Sequence, residues 1–222
     1  MRCTGLMPEV SQSTQTSDRF KNQATIYVVD DEPAVRHSLQ SLINSDGWHV
    51  QIYADGRSFL KAVTTDALGC VVLDMKLPDL DGLAVYEEMQ KRQLTLPVLF
   101  YSGLGTVRTA TAAMKRGAVD FIEKSDGPQS LLDAITQAVD RHDRLRARVD
   151  QSRQVQLMLD SLTPRENEVL ALVMEGKTSR EIAQQLHRSE KTIQLHRANI
   201  MKKFNVRRVV DLINLVTAAQ ED

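Results

Sequence analysis

The sequence predicts an α/β domain built on a five-stranded, doubly wound parallel sheet, followed by a helical linker and an all-α domain of four helices. Short β-branched runs alternate with helical patterns through the first half of the 222-residue chain. A long helical pattern without glycine or proline follows, and four short helical patterns complete the chain. We expect domains at 25–142 and 161–222, a linker at 143–160, and a polar, disordered extension at 1–24.

The five predicted strands are short apolar runs, as is typical of parallel strands covered on both faces. They are Thr25–Val29, His49–Tyr53, Cys70–Leu73, Val98–Tyr101 and Asp120–Ile122. The helices predicted between them are Pro33–Asn44, Arg57–Val63, Gly82–Arg92 and Thr106–Arg116. Such sheets bind their ligands beyond the carboxyl ends of the strands.

The linker and the last domain are predicted from helix-capping residues. A helical pattern runs from Leu131 to Leu162, and its heptads are interrupted by polar residues, which favours a prolonged helix over a coiled coil. Thr163–Glu166 and Thr178–Glu181 are capping boxes. Ser189 caps a third helix that ends near Phe204, and a fourth is predicted from Val206 to about Ala218. A short helix, a tight turn and a basic helix are typical of a helix-turn-helix.

The net charge of −1 conceals an uneven distribution. Residues 25–127 hold 10 basic and 14 acidic side chains, whereas residues 177–208 hold 9 basic against 2 acidic ones. A basic stretch attached to an acidic domain indicates a polyanion-binding module. No apolar run is long enough to span a membrane, and Cys3 and Cys70 lack zinc or redox-motif spacing. We therefore expect a cytoplasmic protein that makes no membrane contact.

Charged and hydroxyl groups follow four strands of the predicted sheet. Asp30 and Asp31 follow the first strand, Asp74 the third, Ser102 the fourth and Lys124 the fifth. In a doubly wound sheet these positions meet at one crevice, where three carboxylates repel one another unless a cation neutralises them. Oxygen ligands at a partly hydrated site favour Mg²⁺. A carboxylate beside Mg²⁺, an ammonium and a hydroxyl is suited to accepting a phosphoryl group.

These motifs resemble a known family. Four segments resemble the receiver domain of bacterial response regulators: Val28–Glu32, Leu73–Gly82, Ser102–Gly103 and Gly117–Lys124. The stretch from Leu162–Glu166 through Ile193–Arg197 resembles the LuxR-type DNA-binding domain. Together they resemble the FixJ/NarL class of two-component regulators, FixJ more closely, from Thr25 to Ala218. The resemblance implies a flavodoxin-like receiver sheet.

The resemblance also implies roles for individual residues. Asp74 would accept the phosphoryl group from the phosphohistidine of a sensor histidine kinase. The implied Mg²⁺ ligands are Asp30, Asp31, Asp74 and the backbone carbonyl of Lys76. Ser102 would be the switch hydroxyl, Lys124 the phosphate partner, and Phe121 the aromatic ring that follows the switch; core packing is the alternative for Phe121.

Three departures from the family pattern bear on the switch. Ser125 follows Lys124 where proline is usual, so the cis peptide of that loop is open to doubt. Ser102 replaces the commoner threonine and keeps the hydroxyl. The segment Leu104–Arg108 lacks an acidic residue that FixJ-like proteins often carry there.

The third helix of the last domain is the predicted recognition helix. The residues expected to contact bases are Lys191, Gln194, Leu195 and Ala198. The residues expected to contact DNA phosphates are Arg180, Thr192, Lys202 and Lys203. A single domain of this size binds DNA weakly, so we expect two half-sites and a dimer.

The fourth helix carries a candidate dimer face formed by Val209, Leu212, Ile213 and Val216, with packing onto the other helices as the alternative. The resemblance implies a homodimer promoted by phosphorylation, and RNA polymerase is a further candidate partner. The prediction is thus a phosphorylation-switched transcription regulator, an activator by family tendency and not a turnover enzyme.

Two alternatives remain. The receiver could be a phosphorylation-independent dimerisation module, which Ser125 alone favours. A phosphoaspartate-type hydrolase is disfavoured because Asp30-Asp31-Glu32 does not match the Asp-x-Asp nucleophile motif of haloacid-type phosphatases.

Overall fold

The computed structural model describes residue 21, residues 23–103 and residues 107–220, which divide into two compact units between Arg144 and Leu145. Most of the predicted extension therefore lies outside the described residues. Its last residues are part of the fold: Ala24 is fully buried, and the Lys21 ammonium lies 3.1 Å from Asp46. The ordered domain thus begins before position 25.

The first unit alternates strands and helices as predicted. Its strands are β1 (Thr25–Val29), β2 (His49–Tyr53), β3 (Gly69–Leu73), β4 (Val98–Ser102) and β5 (Asp120–Glu123). The helices between them are α1 (Pro33–Ser45), α2 (Gly56–Ala62), α3 (Gly82–Lys91) and α4 (Val107–Lys115). Helix α5 (Pro128–Asp160) follows β5.

All five strands are parallel and lie in the order β2-β1-β3-β4-β5, the flavodoxin-like order. The register places Val29 beside both Tyr53 and Leu73, so the strands of the central pairs end together. The predicted doubly wound sheet is confirmed. The residues that follow β1, β3, β4 and β5 therefore lie at one edge of the sheet.

Each face of the sheet is covered by its own core. Leu39 and Ile43 of α1 pack on one face together with Leu131 and Ile135 of α5. The other face is covered mainly by α2 and α3, through buried residues such as Phe59. Strands buried on both faces have no polar alternation, which explains why they appear in the sequence as continuous apolar runs.

The loop between β3 and α3 is held by short polar contacts. The Asp79 carboxylate accepts the backbone N–H groups of Gly56 and Arg57 at 3.1 and 2.9 Å. These hydrogen bonds outweigh desolvation and hold the pKa of Asp79 below its ordinary value. A Cβ atom on Gly82 would collide with the backbone carbonyl of Asp74. The residues after β3 are thus fixed against α2 on one side and α3 on the other.

The second unit contains the end of α5, α6 (Pro164–Met174), α7 (Ser179–Gln185), α8 (Glu190–Lys203) and α9 (Val209–Gln220). Both predicted capping boxes form, and the Ser189 hydroxyl caps α8. Within the expected linker, Val155 is buried in the core of this unit, whereas Val149 is exposed. None of the described helices is long and apolar enough to cross a membrane.

Helix α9 begins three residues later than the sequence predicts. Val206 is held in the C-terminal turn of α8, where its N–H bonds to the Met201 carbonyl at 3.0 Å. Asn205 has a φ of 51°, which is the left-handed conformation that such a turn requires. This turn therefore completes α8 before α9 starts at Val209.

Candidate functional site

Three carboxylates meet at the carboxyl edge of the sheet. Ligand oxygens of Asp30, Asp31 and Asp74 all lie within 4.8 Å of one another. Asp30 and Asp74 are buried, whereas Asp31 is exposed. Three acidic groups this close repel one another strongly, so the site requires positive charge.

Lys124 supplies a positive charge. Its ammonium donates to Asp30 Oδ2 at 2.7 Å and to Asp74 Oδ2 at 3.0 Å. Burial disfavours the charged ammonium, but these two hydrogen bonds outweigh it and raise the pKa of Lys124 above its ordinary value. The ammonium also lies 5.8 Å from the centre of the Tyr101 ring. Lys124 is therefore a charged ammonium at neutral pH.

The remaining oxygens of the site are oriented by the backbone. Asp30 Oδ1 accepts the Glu32 N–H at 2.9 Å, and Asp74 Oδ1 accepts the Lys76 N–H at 3.3 Å. The Arg36 guanidinium donates to the backbone carbonyl of Asp30 at 2.6 Å. Sequence reasoning missed Arg36, because a bond to a backbone oxygen leaves no residue-type signal.

Ser102 is buried at the end of β4, and its backbone carbonyl accepts the Lys124 N–H at 3.0 Å. Phe121 is half-buried and packs against the core on the α2/α3 face. The serine at position 125 put the cis peptide of this loop in doubt. Among the described residues, no peptide bond is cis. Residues 104–106 of the segment that lacks an acidic residue lie outside the described residues.

The donor set fits a hard divalent cation. Carboxylate oxygens are the ligands that Mg²⁺ prefers in proteins, and one exposed carboxylate keeps the cluster open to water. The backbone carbonyl of Lys76 follows Asp74 in the same loop, and its place as a further ligand stays a prediction. This crevice combines the buried Asp74 carboxylate, an ammonium and a candidate magnesium site.

In the second unit, most predicted base-contact residues are exposed on α8. Lys191, Gln194 and Ala198 are exposed, and 60% of the Leu195 side chain is open to solvent. Most of the Leu195 side chain therefore makes no contact within the chain. The face is therefore available to a partner.

The predicted phosphate contacts divide into two groups. Arg180 and Lys202 are exposed, and the Thr192 hydroxyl lies 2.7 Å from that of Ser189 at the start of α8. Lys203 has a different environment from the one expected. Its ammonium binds Glu166 at 2.7 Å and the Ser161 carbonyl at 2.8 Å, so we assign it to the packing of α8.

The candidate dimer face is mostly internal. Leu212 and Val216 are buried in the core of the second unit, and Val209 packs against that core. The packing alternative therefore accounts for three of the four residues. Ile213 is half-buried, and Val210, which the sequence analysis did not single out, has 61% of its side chain exposed.

The fold and the crevice define the receiver class of proteins, and comparisons with known proteins agree. Residues 26–136 match the family model described as response regulator receiver domain. Residues 160–216 match the model described as bacterial regulatory proteins, luxR family. The chain belongs to the response regulators that join a receiver domain to a LuxR-type DNA-binding domain.

Related regulators are similar to this chain over most of their length. The response regulator protein TmoT of Ectopseudomonas mendocina is 35% identical over 87% of this chain and 88% of its own. The transcriptional regulatory protein FixJ of Bradyrhizobium diazoefficiens is 34% identical over 87% of this chain and 95% of its own. The solved structure of the response regulator StyR has a TM-score of 0.80 at 35% identity, covering 87% of this chain and 98% of its own.

Proposed function

We propose that Asp74 accepts a phosphoryl group from a sensor histidine kinase and that this modification switches dimerisation and sequence-specific DNA binding. One observation carries the proposal: the buried Asp74 carboxylate shares the Lys124 ammonium with Asp30. A purely structural carboxylate does not need a second buried carboxylate beside it, because the extra repulsion only costs stability.

The chemistry is a transfer between two nucleophiles. An Asp74 oxygen attacks phosphorus, an O–P bond forms, and the N–P bond of the kinase phosphohistidine breaks. The imidazole, already protonated on its other ring nitrogen, leaves as a neutral base. The product is an acyl phosphate on Asp74, and the chain turns over no substrate.

Asp30, Asp31 and Asp74, with the backbone carbonyl of Lys76, would hold Mg²⁺. When bound, the ion neutralises charge on the transferring phosphoryl oxygens. Lys124 would exchange its bond to the Asp74 carboxylate for one to a phosphoryl oxygen. The Ser102 hydroxyl would donate to another phosphoryl oxygen, and the Phe121 ring would follow this switch at Ser102.

The DNA-binding unit would read its site through α8. Lys191 and Gln194 are suited to hydrogen bonds with base edges, and Leu195 and Ala198 to thymine methyl groups. Arg180, Thr192 and Lys202 would contact phosphates. Two such units on two half-sites imply a dimer.

We place the contact between the two DNA-binding units at the Val210 and Ile213 face of α9. The regulator would act in the cytoplasm as an activator, with RNA polymerase as a further partner.

The test is phosphoryl uptake from a small-molecule phosphodonor with Mg²⁺, read by intact mass, with light scattering for the oligomeric state. The wild-type chain should gain one phosphoryl group and dimerise, and Asp74→Asn should do neither. Asp133→Asn, on the exposed side of α5, is the matched control and should behave as wild type. Uptake by Asp74→Asn at the wild-type level would overturn the assignment, and a wild-type dimer without uptake would favour the phosphorylation-independent alternative.

A further inference from the structure

A cleft of about 290 Å³ lies in the second unit between α6, the turn after α7, and α8. The polar side chains that line it are Arg165, Glu168, Arg188, Thr192 and His196. Three apolar residues, Val169, Leu186 and Ile193, line the remainder. Of these eight residues, the sequence analysis assigned only Thr192 to DNA.

The cleft carries one uncompensated positive charge. Arg165 Nη1 donates to both oxygens of Glu168, at 3.0 and 2.7 Å, so that pair is neutral. In the part of the chain that the structure describes, no carboxylate lies within ion-pair distance of the Arg188 guanidinium, which is exposed at the cleft. An exposed guanidinium beside a neutral pair fits a ligand with a single negative charge.

His196 adds a further polar group. Its Nδ1 is shielded from solvent and has no hydrogen-bond partner among the described residues. Nε2 is therefore the ring nitrogen that a ligand can reach, and it donates when it carries the proton. Thr192, one helical turn before His196, adds a hydroxyl on the same side of α8.

From this combination we infer that the cleft binds one sugar-phosphate unit of the DNA backbone. A phosphodiester carries a single negative charge, and the adjoining deoxyribose presents the apolar surface that the three apolar residues would cover. Free phosphate has the charge without the apolar part, so the backbone is the better match. Arg188 and His196 would be its main anchors, and the inference rests on the proposed DNA-binding function.

The position of the cleft agrees with the direction in which α8 would enter a groove of the DNA. At 3.6 residues per turn, Thr192 lies about 60° and His196 about 100° around the helix from Leu195, on the same side. A phosphate in the cleft would therefore border the groove that the exposed face of α8 enters. Backbone contacts beside a recognition helix set its register without reading sequence.

The experiment measures binding of the phosphodonor-treated full chain to a fluorescent duplex of random sequence across a range of KCl concentrations. The logarithm of the affinity should fall linearly with that of the salt concentration, with a slope of about −0.9 per phosphate contact. Arg188→Ala should reduce the magnitude of this slope by about 0.9 per bound subunit. Arg153→Ala, an exposed arginine on α5 of the same unit, is the matched control and should leave the slope unchanged.

His196 is tested by a pair of substitutions. His196→Leu should lower the affinity, whereas His196→Gln should restore it, because a glutamine amide nitrogen occupies nearly the position of Nε2. Circular dichroism melting verifies that each variant stays folded. A wild-type slope in Arg188→Ala together with wild-type affinity in His196→Leu would overturn the inference while leaving the proposed function intact.

Two further outcomes distinguish the DNA backbone from free phosphate as the ligand of the cleft. Calorimetric titration with inorganic phosphate should show no binding to the cleft in the absence of DNA. Phosphate binding that Arg188→Ala abolishes, with an unchanged DNA slope, would overturn the backbone assignment in favour of a small-anion site. A wild-type chain that binds no duplex at all would overturn both the inference and the proposed function.

Discussion

Lys203 Nζ lies 2.7 Å from Glu166 Oε2, so the last turn of α8 is tied to the first turn of α6 by a shielded ion pair. The same carboxylate oxygen accepts the backbone N–H of Thr163 at 2.9 Å and its hydroxyl at 3.0 Å. The hydrogen bond from Lys203, followed by that from Thr163, lowers the pKa of Glu166 to about 2. One carboxylate thus completes the capping box of α6 and fixes the last turn of α8 against it.

Glu166→Gln should weaken the second unit and reduce its acid sensitivity. A carboxyl group whose pKa is depressed from 4.5 to about 2 on folding contributes stability that is complete above pH 4.5 and is lost as the pH falls towards 2. We expect the substitution to cost about 1–3 kcal/mol at pH 7, because Lys203 loses its charged partner. Urea unfolding of the intact chain, followed by circular dichroism, measures this cost.

The control is Glu168→Gln, which breaks a more exposed pair with Arg165 on the same helix. Such pairs contribute about 0–1 kcal/mol, so the midpoint should change little. Equal losses from the two substitutions would contradict the structural role of Glu166. A wild-type-minus-variant difference that stays constant from pH 7 to pH 3 would contradict the stated pKa.

Most of the fold could be predicted because its signals are local. Strand β1 needs only its own apolar run, and Thr163, Thr178 and Ser189 act within three residues of themselves. The Asp30, Asp74 and Lys124 cluster was predicted from a topological rule that brings the ends of parallel strands to one edge. Each of these inferences depends either on residues that are close in sequence or on the topology of a parallel sheet.

The contacts that the sequence did not predict concern side chains whose partners are distant in sequence. Lys203 lies on a basic helix, and nothing near it indicates a buried glutamate 37 positions earlier. The apolar stripe of α9 has the same pattern whether Leu212 meets a core or a second chain. Amphipathicity predicts that a face is covered but not what covers it.

Gly82→Ala should disturb the loop that carries Asp74. The added Cβ would collide with the backbone carbonyl of Asp74, which can retreat only by moving the end of β3. We expect a loss of about 1–3 kcal/mol in the receiver unit, together with slower phosphoryl uptake. Urea unfolding and intact mass after phosphodonor treatment measure the two effects.

Gly103→Ala is the matched control for this prediction. Its Cβ would meet Lys124 Cδ at 3.6 Å, an ordinary van der Waals contact, and its φ lies outside the left-handed region. It should leave stability nearly unchanged. If Gly103→Ala were as damaging as Gly82→Ala, the close approach to Asp74 would not be the cause.

Lys124→Met should increase magnesium affinity and slow phosphoryl transfer. Removing the ammonium leaves Asp30 and Asp74 without their neutralising partner. Binding of a divalent cation then relieves the repulsion between the two carboxylates, which increases its affinity. We expect magnesium to bind roughly tenfold more tightly. Titration calorimetry with MgCl₂ measures this, and intact mass gives the uptake rate. Lys115→Met, an exposed lysine on α4, is the control, and weaker magnesium binding by Lys124→Met would contradict the shared-charge arrangement.

Substitutions at Gln194 and Lys202 should distinguish a contact with DNA bases from a contact with the DNA backbone. Gln194 is exposed on α8, and a glutamine amide pairs with the adenine edge in two hydrogen bonds. Lys202 is exposed two turns further on, beyond the N-terminal residues that a recognition helix presents to bases. Gln194→Ala should therefore lower affinity for a selected operator by about 1–3 kcal/mol and leave random duplex binding unchanged.

Lys202→Ala should weaken binding to both duplexes equally and reduce the magnitude of the salt slope by about 0.9 per subunit. The operator is obtained first by selecting sequences from a random pool with the wild-type chain. Binding of both variants to the selected and random duplexes, across KCl concentrations, then gives specificity and slope from the same data. Equal losses on both duplexes for both variants would reject this division of roles, because a base contact must discriminate and a phosphate contact cannot.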